Sequence, residues 1–209
     1  MKTFKNLYSE IIIEENLILA YQKARKRKTK KDYVKKFNKN LKENISSLRL
    51  DLLSEIYLPK PLENFIIRDP KTRKISKSDF RDRIVHHAIC NVLNPIFEKT
   101  FIYDSYANRK GKGALKALER FDEFKRKITR NGKVNGWFNN NQVKGYVLKA
   151  DIKHYFETVS HKILINILKR KIGCSKTISL INKILNNYVG GGRSTNRNAI
   201  RKFNFSVFC

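Results

Sequence analysis

Apolar side chains recur at three- and four-residue steps through residues 1–57, the spacing that lines one face of an α-helix. The run from Asn16 to Lys28 opens on a residue suited to capping and closes on cations, which favour a helix C-terminus. A second helix is predicted from about Lys31 to Ile56. It places Val34, Phe37, Leu41, Ile45, Leu48 and Leu52 on one stripe and Lys35, Lys36, Lys39 and Lys42 on another face. That lysine face is either plainly solvated or turned toward a polyanion. Pro59 and Pro61 end the helical pattern.

The period then changes. Asn64–Arg68 and Arg73–Ser76 read as two short strands around the Asp69-Pro70 turn, a β-hairpin with Lys71, Arg73 and Lys74 near its tip. Ser78 or Asp79 caps a helix that runs through Phe80, Ile84, Ala88, Leu93 and Phe97, with Pro95 expected to kink or restart it. Ser105–Gly113 is a basic, glycine-containing loop, followed by a helix over Ala114–Ile128 carrying Leu115, Leu118, Phe121 and Phe124. Thr129–Lys144 is polar and reads as a loop or β-ribbon, with Trp137-Phe138 as a local anchor or a stacking platform for bases. Tyr146–Ala150 reads as a buried strand that delivers Asp151 at its end. Helices are predicted over about Ser160–Lys171 and Ser175–Val189, and residues 190–209 lose any clear period.

Composition narrows the function. A hydrophobic content of 41% over 209 residues supports a globular core and excludes a disordered basic tail. Lys and Arg number 46 against 18 Asp and Glu, a formal charge of +28 dispersed among apolar segments. Such a surface suits nucleic acid, because phosphate neutralisation with counterion release supplies affinity without sequence readout. A ribosome-like RNA binder and a membrane-surface protein share this composition. No apolar run reaches membrane-spanning length and Met1–Asn6 lacks the apolar core of a signal peptide, so a cytoplasmic location is expected. Cys90, Cys174 and Cys209 are far apart with no CxxC pair, so neither a zinc knuckle nor a disulfide framework is indicated. His86 and His87 are adjacent and point to different faces of a helix, so they do not make a metal pair.

The candidate chemistry centres on Asp151. A carboxylate at a strand end is a Mg²⁺ ligand, since the ion prefers hard oxygen donors shared with phosphate; the alternative is a helix N-cap. The cationic hairpin suits a triphosphate, whose charge grows during phosphoryl transfer, or is simply solvated. The Ser105–Gly113 loop lacks the G-x-x-x-x-G-K-[ST] pattern and is not a P-loop; Arg109, Lys110 and Lys112 suit a template backbone or a triphosphate.

Five ordered blocks carry a resemblance. They are Asp69–Ile75, Phe80–Ala88, Pro95–Glu98, Ser105–Gly113 and Leu148–Phe156. Together they resemble the N-terminal part of bacterial reverse transcriptases of the group II intron, retron and diversity-generating retroelement kind, over about Asn16–Val189. The resemblance implies an α+β right-hand polymerase fold. Residues 1–57 would be a helix-rich N-terminal extension, 58–144 the fingers, 145–189 an incomplete palm and 190–209 a tail foreign to the family.

It also implies Mg²⁺-dependent RNA-templated DNA synthesis, with an RNA template, a DNA or RNA primer and dNTPs as partners, and no membrane. By position, Asp151 is the first catalytic aspartate and a metal ligand, with the backbone carbonyl of Ile152 as a second ligand. Lys71 and Arg73 match fingers cations at the incoming dNTP, and Arg83 and Arg109 match basic positions near it. Arg83 alternatively pairs with Asp79 or Asp82. Phe156 matches the aromatic under the sugar, where a ring crowds a 2′-hydroxyl and favours deoxynucleotides; it is otherwise a core aromatic.

The chain departs from the family beyond Glu157, after which the sequence holds no acidic side chain. A two-ion mechanism needs paired carboxylates, which the family supplies from a Tyr-x-Asp-Asp hairpin and this sequence lacks. The expectation is therefore a truncated reverse transcriptase, inactive alone. The alternatives are a non-catalytic RNA-binding derivative, or one half of a split polymerase whose palm a separate polypeptide completes. One choice of codons for Arg193–Arg197, read one base later, gives Gly-Leu-Pro-Ile-Gly, so a frameshift in the tail is a further expectation.

Overall fold

The computed structural model describes residues 3–70, 72–107, 109–132, 145–152 and 159–187. The N-terminal helical pattern resolves into α1 (Leu7–Ile12), α2 (Glu14–Arg25), α3 (Asp32–Lys39) and α4 (Leu41–Leu53). Asn16, expected as a cap, lies inside α2 and bolts three helices together. Its side-chain amide donates to the carbonyls of Ile11 (3.0 Å) and Ala88 (3.1 Å), and its oxygen accepts from Asn91 Nδ2 at 2.8 Å.

The helix predicted over Lys31–Ile56 is two helices, divided at Asn40, whose backbone (φ −122, ψ 50) leaves the helical region. Asn44 Nδ2 donates to the Phe37 carbonyl at 2.9 Å, satisfying one of the acceptors that the end of α3 leaves open. The predicted stripe survives the break. Val34, Ile45, Leu48 and Leu52 are buried, Phe37 and Leu41 pack at the margin, and Lys35, Lys36, Lys39 and Lys42 are exposed.

The hairpin forms where the strand pattern puts it. Strand β1 (Glu63–Ile67) pairs antiparallel with β2 (Arg73–Lys77), with Phe65 opposite Ile75 and Ile67 opposite Arg73. Helix α5 (Phe80–Glu98) begins at the Asp79 cap, whose carboxylate accepts from the Arg81 N–H at 2.9 Å. It continues through Pro95 as a single helix instead of restarting there. Ile84, Val85, Ala88, Ile89, Leu93 and Phe97 are buried along it, against α1 and α2. Each of these side chains other than Ala88 stabilises the fold by about 1.5–3 kcal/mol relative to exposure.

After α6 (Ala114–Ile128) come α7 (His161–Lys169) and α8 (Ser175–Leu185), and these last two close back on the start of the chain. Ser160 caps α7 by accepting from the Ile163 N–H at 3.4 Å. The Phe4 N–H donates to Lys171 O at 2.8 Å and the Gly173 N–H to Phe4 O at 2.9 Å. Leu164, Leu168, Ile181, Ile184 and Leu185 therefore join the same core as α1, α2, α4 and α5.

Two apolar elements stay outside that core. On α6, Leu115, Leu118, Phe121, Phe124 and Ile128 form a stripe and all are exposed. The strand predicted at Tyr146–Ala150 is corrected: 145–152 is neither strand nor buried, and Tyr146 and Leu148 are 96% and 93% exposed. A strand needs a neighbour to take its N–H and C=O groups, and no strand lies beside this segment among the described residues.

Candidate functional site

Lys71 and Phe156 lie outside the described residues. Arg73 opens β2. Asp151 sits on the exposed 145–152 segment beside Ile152, itself 68% exposed. No group of three or more His, Cys, Asp or Glu side chains among the described residues is placed to hold a metal ion. One solvated carboxylate and one backbone carbonyl do not fit the demands of Mg²⁺, which strips its water reluctantly and needs several fixed oxygens. The described residues therefore do not make a metal centre around Asp151.

Arg109 is consumed by its own surroundings. Its Nε donates to Glu98 Oε1 at 2.7 Å, and one terminal nitrogen donates to the carbonyls of Ile102 (2.9 Å) and Ser105 (3.0 Å). Its guanidinium carbon lies 5.4 Å from the centre of the Phe101 ring. The side chain staples the loop after α5 to the end of that helix. Lys112 similarly rests over Tyr103 and Tyr106, at 4.2 and 4.9 Å from their ring centres.

The start of α5 holds two arginines with different fates. Arg81 pairs with the Asp51 carboxylate, lies 3.9 Å from Asp82 Oδ1 and covers the Tyr57 ring. Asp82 is fully buried; it accepts from the Tyr57 hydroxyl at 2.8 Å and from the Lys60 N–H at 2.9 Å. Burial pushes the Asp82 carboxyl above its usual range, and the two hydrogen bonds only partly offset this. Burial, and after it the charge of Asp82, pushes the Tyr57 phenol upward as well. This knot fixes the chain leaving α4 against the first turn of α5, and so sets the root of the hairpin.

Arg83 takes neither of the partners expected for it. Asp79 is occupied as the α5 cap, with Lys60 Nζ 3.7 Å away, and Asp82 belongs to Tyr57 and Lys60. The Arg83 guanidinium lies instead 4.7 Å from the Tyr33 ring centre and 5.3 Å from that of Phe80. No carboxylate pairs with it among the described residues, and its buried Nε has no acceptor. Tyr33 also receives Lys77 Nζ, 5.1 Å from its ring centre. Tyr21, Phe37 and Phe80 complete an aromatic cluster joining α2, α3 and α5, with ring centres 5.3–6.1 Å apart.

Around this cluster the surface is strongly cationic. From Lys23 to Lys42 the only acidic residue is Asp32, which lies 3.8 Å from Lys35 Nζ with both side chains well exposed. Sequence periodicity identified the lysine face of α3 but not Tyr33, Lys77 or Lys28, which meet only through the packing of α3 on α5. The sequence signal was Arg81-Asp82-Arg83, three charged residues in a first helical turn where one face must be buried.

No family model matches the chain. It is similar to "Protein YkfC" of Escherichia coli, with 29% identity over 140 residues, covering 66% of this chain and 34% of that protein. It is also similar to two Saccharomyces cerevisiae proteins named as intron products. The "Putative COX1/OXI3 intron 1 protein" is 28% identical over 130 residues, 60% of this chain and 13% of its own length. The "Putative COX1/OXI3 intron 2 protein" is 25% identical over 179 residues, 81% of this chain and 18% of its own length. The chain thus resembles intron-encoded proteins at low identity and spans about a third or less of these relatives. No helix among the described residues is long and apolar enough to cross a membrane.

Proposed function

We propose that this chain is the fingers-side portion of an RNA-directed DNA polymerase of the retroelement kind, and that on its own it binds RNA without polymerising. The observation that carries the RNA-binding half is the unpaired cationic surface running from the end of α2 across α3 to the foot of the hairpin. Its lysines are exposed and have almost no carboxylates to neutralise them. Phosphates of an RNA strand are the partner such a surface suits. The polymerase half rests on the five ordered sequence blocks and is in keeping with relatives named as intron proteins. In the intact family enzyme, Asp151 and the Ile152 carbonyl would hold Mg²⁺, while Lys71 and Arg73 would meet the incoming dNTP. Here no group of three or more His, Cys, Asp or Glu side chains that could hold the ion occurs among the described residues.

The test has two arms. Filter binding of RNA across a salt series should give affinity that falls steeply with salt, and an affinity indifferent to salt would count against the proposal. Primer extension on poly(rA) with Mg²⁺ and dTTP should yield no product. Product that disappears in Asp151→Ala would overturn the inactive reading.

A second reading is supported by the exposed stripe of α6 and the exposed Tyr146–Leu148 run. In it, a separate polypeptide completes the palm and covers both. Extension activity appearing only when such a polypeptide is added would favour it over the first.

A further inference from the structure

Two cations lie over the Tyr33 ring, and two further charged groups bear on the same spot. Arg83 comes from α5 and Lys77 from the last position of β2, while Lys28 comes from the turn before α3. The fourth is Glu63 of β1, whose carboxylate lies 2.6 Å from Lys77 Nζ and offsets one of the three cations. Among the described residues, two positive charges remain without a carboxylate partner at this spot. Arg83 is the least satisfied: its buried Nε has no acceptor, its contacts to the Tyr33 and Phe80 rings are to ring faces, and what hydrogen bonding it makes here reaches only the neutral Tyr33 phenol. A guanidinium held by rings keeps its N–H groups for a planar or tetrahedral oxyanion, the geometry in which arginine binds phosphate best. The site is reachable, because Lys28 is exposed and Tyr33 and Lys77 are partly exposed.

We propose that Lys28, Lys77 and Arg83, gathered around Tyr33 where α3 meets the foot of the hairpin, seat one backbone phosphate of a bound RNA strand. This goes beyond the general basic surface, since it assigns a discrete contact to named residues, and it rests on the reading of the chain as an RNA binder. It also gives Arg83 a ligand other than the triphosphate of an incoming nucleotide. The electrostatics agree. Partial burial would raise the Tyr33 phenol, yet the Arg83 guanidinium, with Lys28 and Lys77, overcomes it and leaves the phenol below its ordinary value. A phosphate seated among these cations cancels part of their field, so it should return the phenol toward that value.

Tyr33 is therefore its own reporter. In protein labelled with ¹³C at tyrosine Cζ, with Tyr33→Phe to assign the signal, the titration of Tyr33 is followed alone and with three probes. These are a 2′-O-methyl oligouridylate, which withstands alkali, dTTP, and vesicles containing phosphatidylserine. The oligonucleotide should shift the Tyr33 titration upward, and Arg83→Gln should abolish that response. Lys28→Gln, a change at an exposed position that leaves folding intact, should make the log–log salt dependence of RNA binding shallower by up to about 0.7, the single-strand value. RNA binding with an unmoved Tyr33 titration would overturn the phosphate seat while leaving RNA binding standing. A response to dTTP or to vesicles without one to the oligonucleotide would overturn it in favour of a nucleotide or a lipid surface. No RNA binding at all would remove the proposed function together with the site.

Discussion

The Tyr57 hydroxyl donates to the buried carboxylate of Asp82 across 2.8 Å, linking the segment after α4 to the first turn of α5. The same carboxylate takes the Lys60 N–H, so a single side chain holds the segment from which the hairpin springs. Replacing Asp82 with Ala leaves a buried hydroxyl and a backbone N–H without an acceptor, at a cost of about 1–3 kcal/mol for each group so stranded. Chemical denaturation should show Asp82→Ala strongly destabilised and Tyr57→Phe affected less. The pH dependence has a definite sign. The folded carboxyl titrates above the unfolded value, so its contribution is complete below about pH 3.9 and is lost as pH rises through the folded value. The stability gap between wild type and Asp82→Asn should therefore narrow as pH rises through that window. A gap that widens would contradict burial as the dominant effect on Asp82.

Arg109 should behave as a structural residue in the isolated chain. Its donors are engaged by Glu98 and by the carbonyls of Ile102 and Ser105. Arg109→Ala removes all three hydrogen bonds and leaves their acceptors without this donor, with an expected loss of about 1–3 kcal/mol. Limited proteolysis should then cut within residues 101–113 faster than in wild type, while Arg109→Lys recovers only part of the protection because it lacks the planar fork. Unchanged cleavage combined with weakened dNTP binding would instead return Arg109 to the nucleotide.

Much of the helical core was legible because burial follows the 3.6-residue period over long stretches. Val34 to Leu52 lie on the predicted stripe although the helix breaks at Asn40, a break hidden by Leu41 continuing the pattern. Local signals also placed the Asp79 and Ser160 caps and the hairpin. The reading failed where the outcome depends on a distant partner. Tyr146–Ala150 has the composition of a buried strand, but composition does not supply the neighbouring strand that burial requires. Arg81 and Arg83 look alike in sequence. Asp51 and Tyr57 claim the first and Tyr33 the second, and all three lie far away along the chain.

The lysine face of α3 and the start of α4 should bind RNA without supporting the fold. Lys35, Lys36, Lys39 and Lys42 are exposed, and among the described residues only Lys35 has a carboxylate within ion-pair reach, Asp32 at 3.8 Å. Exposed pairs of that kind add little, so replacing all four with Gln should change stability by no more than about 0.5 kcal/mol. RNA affinity should drop, and for a single strand its salt dependence should flatten by about 0.7 for each phosphate that is no longer neutralised. Full retention of affinity would move the RNA path off this face.

The stripe on α6 provides the sharpest contrast with the core. Leu115 and Leu118 are 72% and 62% exposed, whereas Leu164 on α7 is fully buried in the shared core. If the α6 stripe is open in the isolated chain, Leu115→Glu with Leu118→Glu removes exposed apolar surface and creates no cavity. Solubility should rise, binding of an apolar dye should fall, and the melting transition should stay in place. Leu164→Ala should cost about 2–5 kcal/mol by the same measurement, because it empties a packed site. A large destabilisation from the α6 pair would mean that another part of this chain covers the stripe, leaving it no room for a partner.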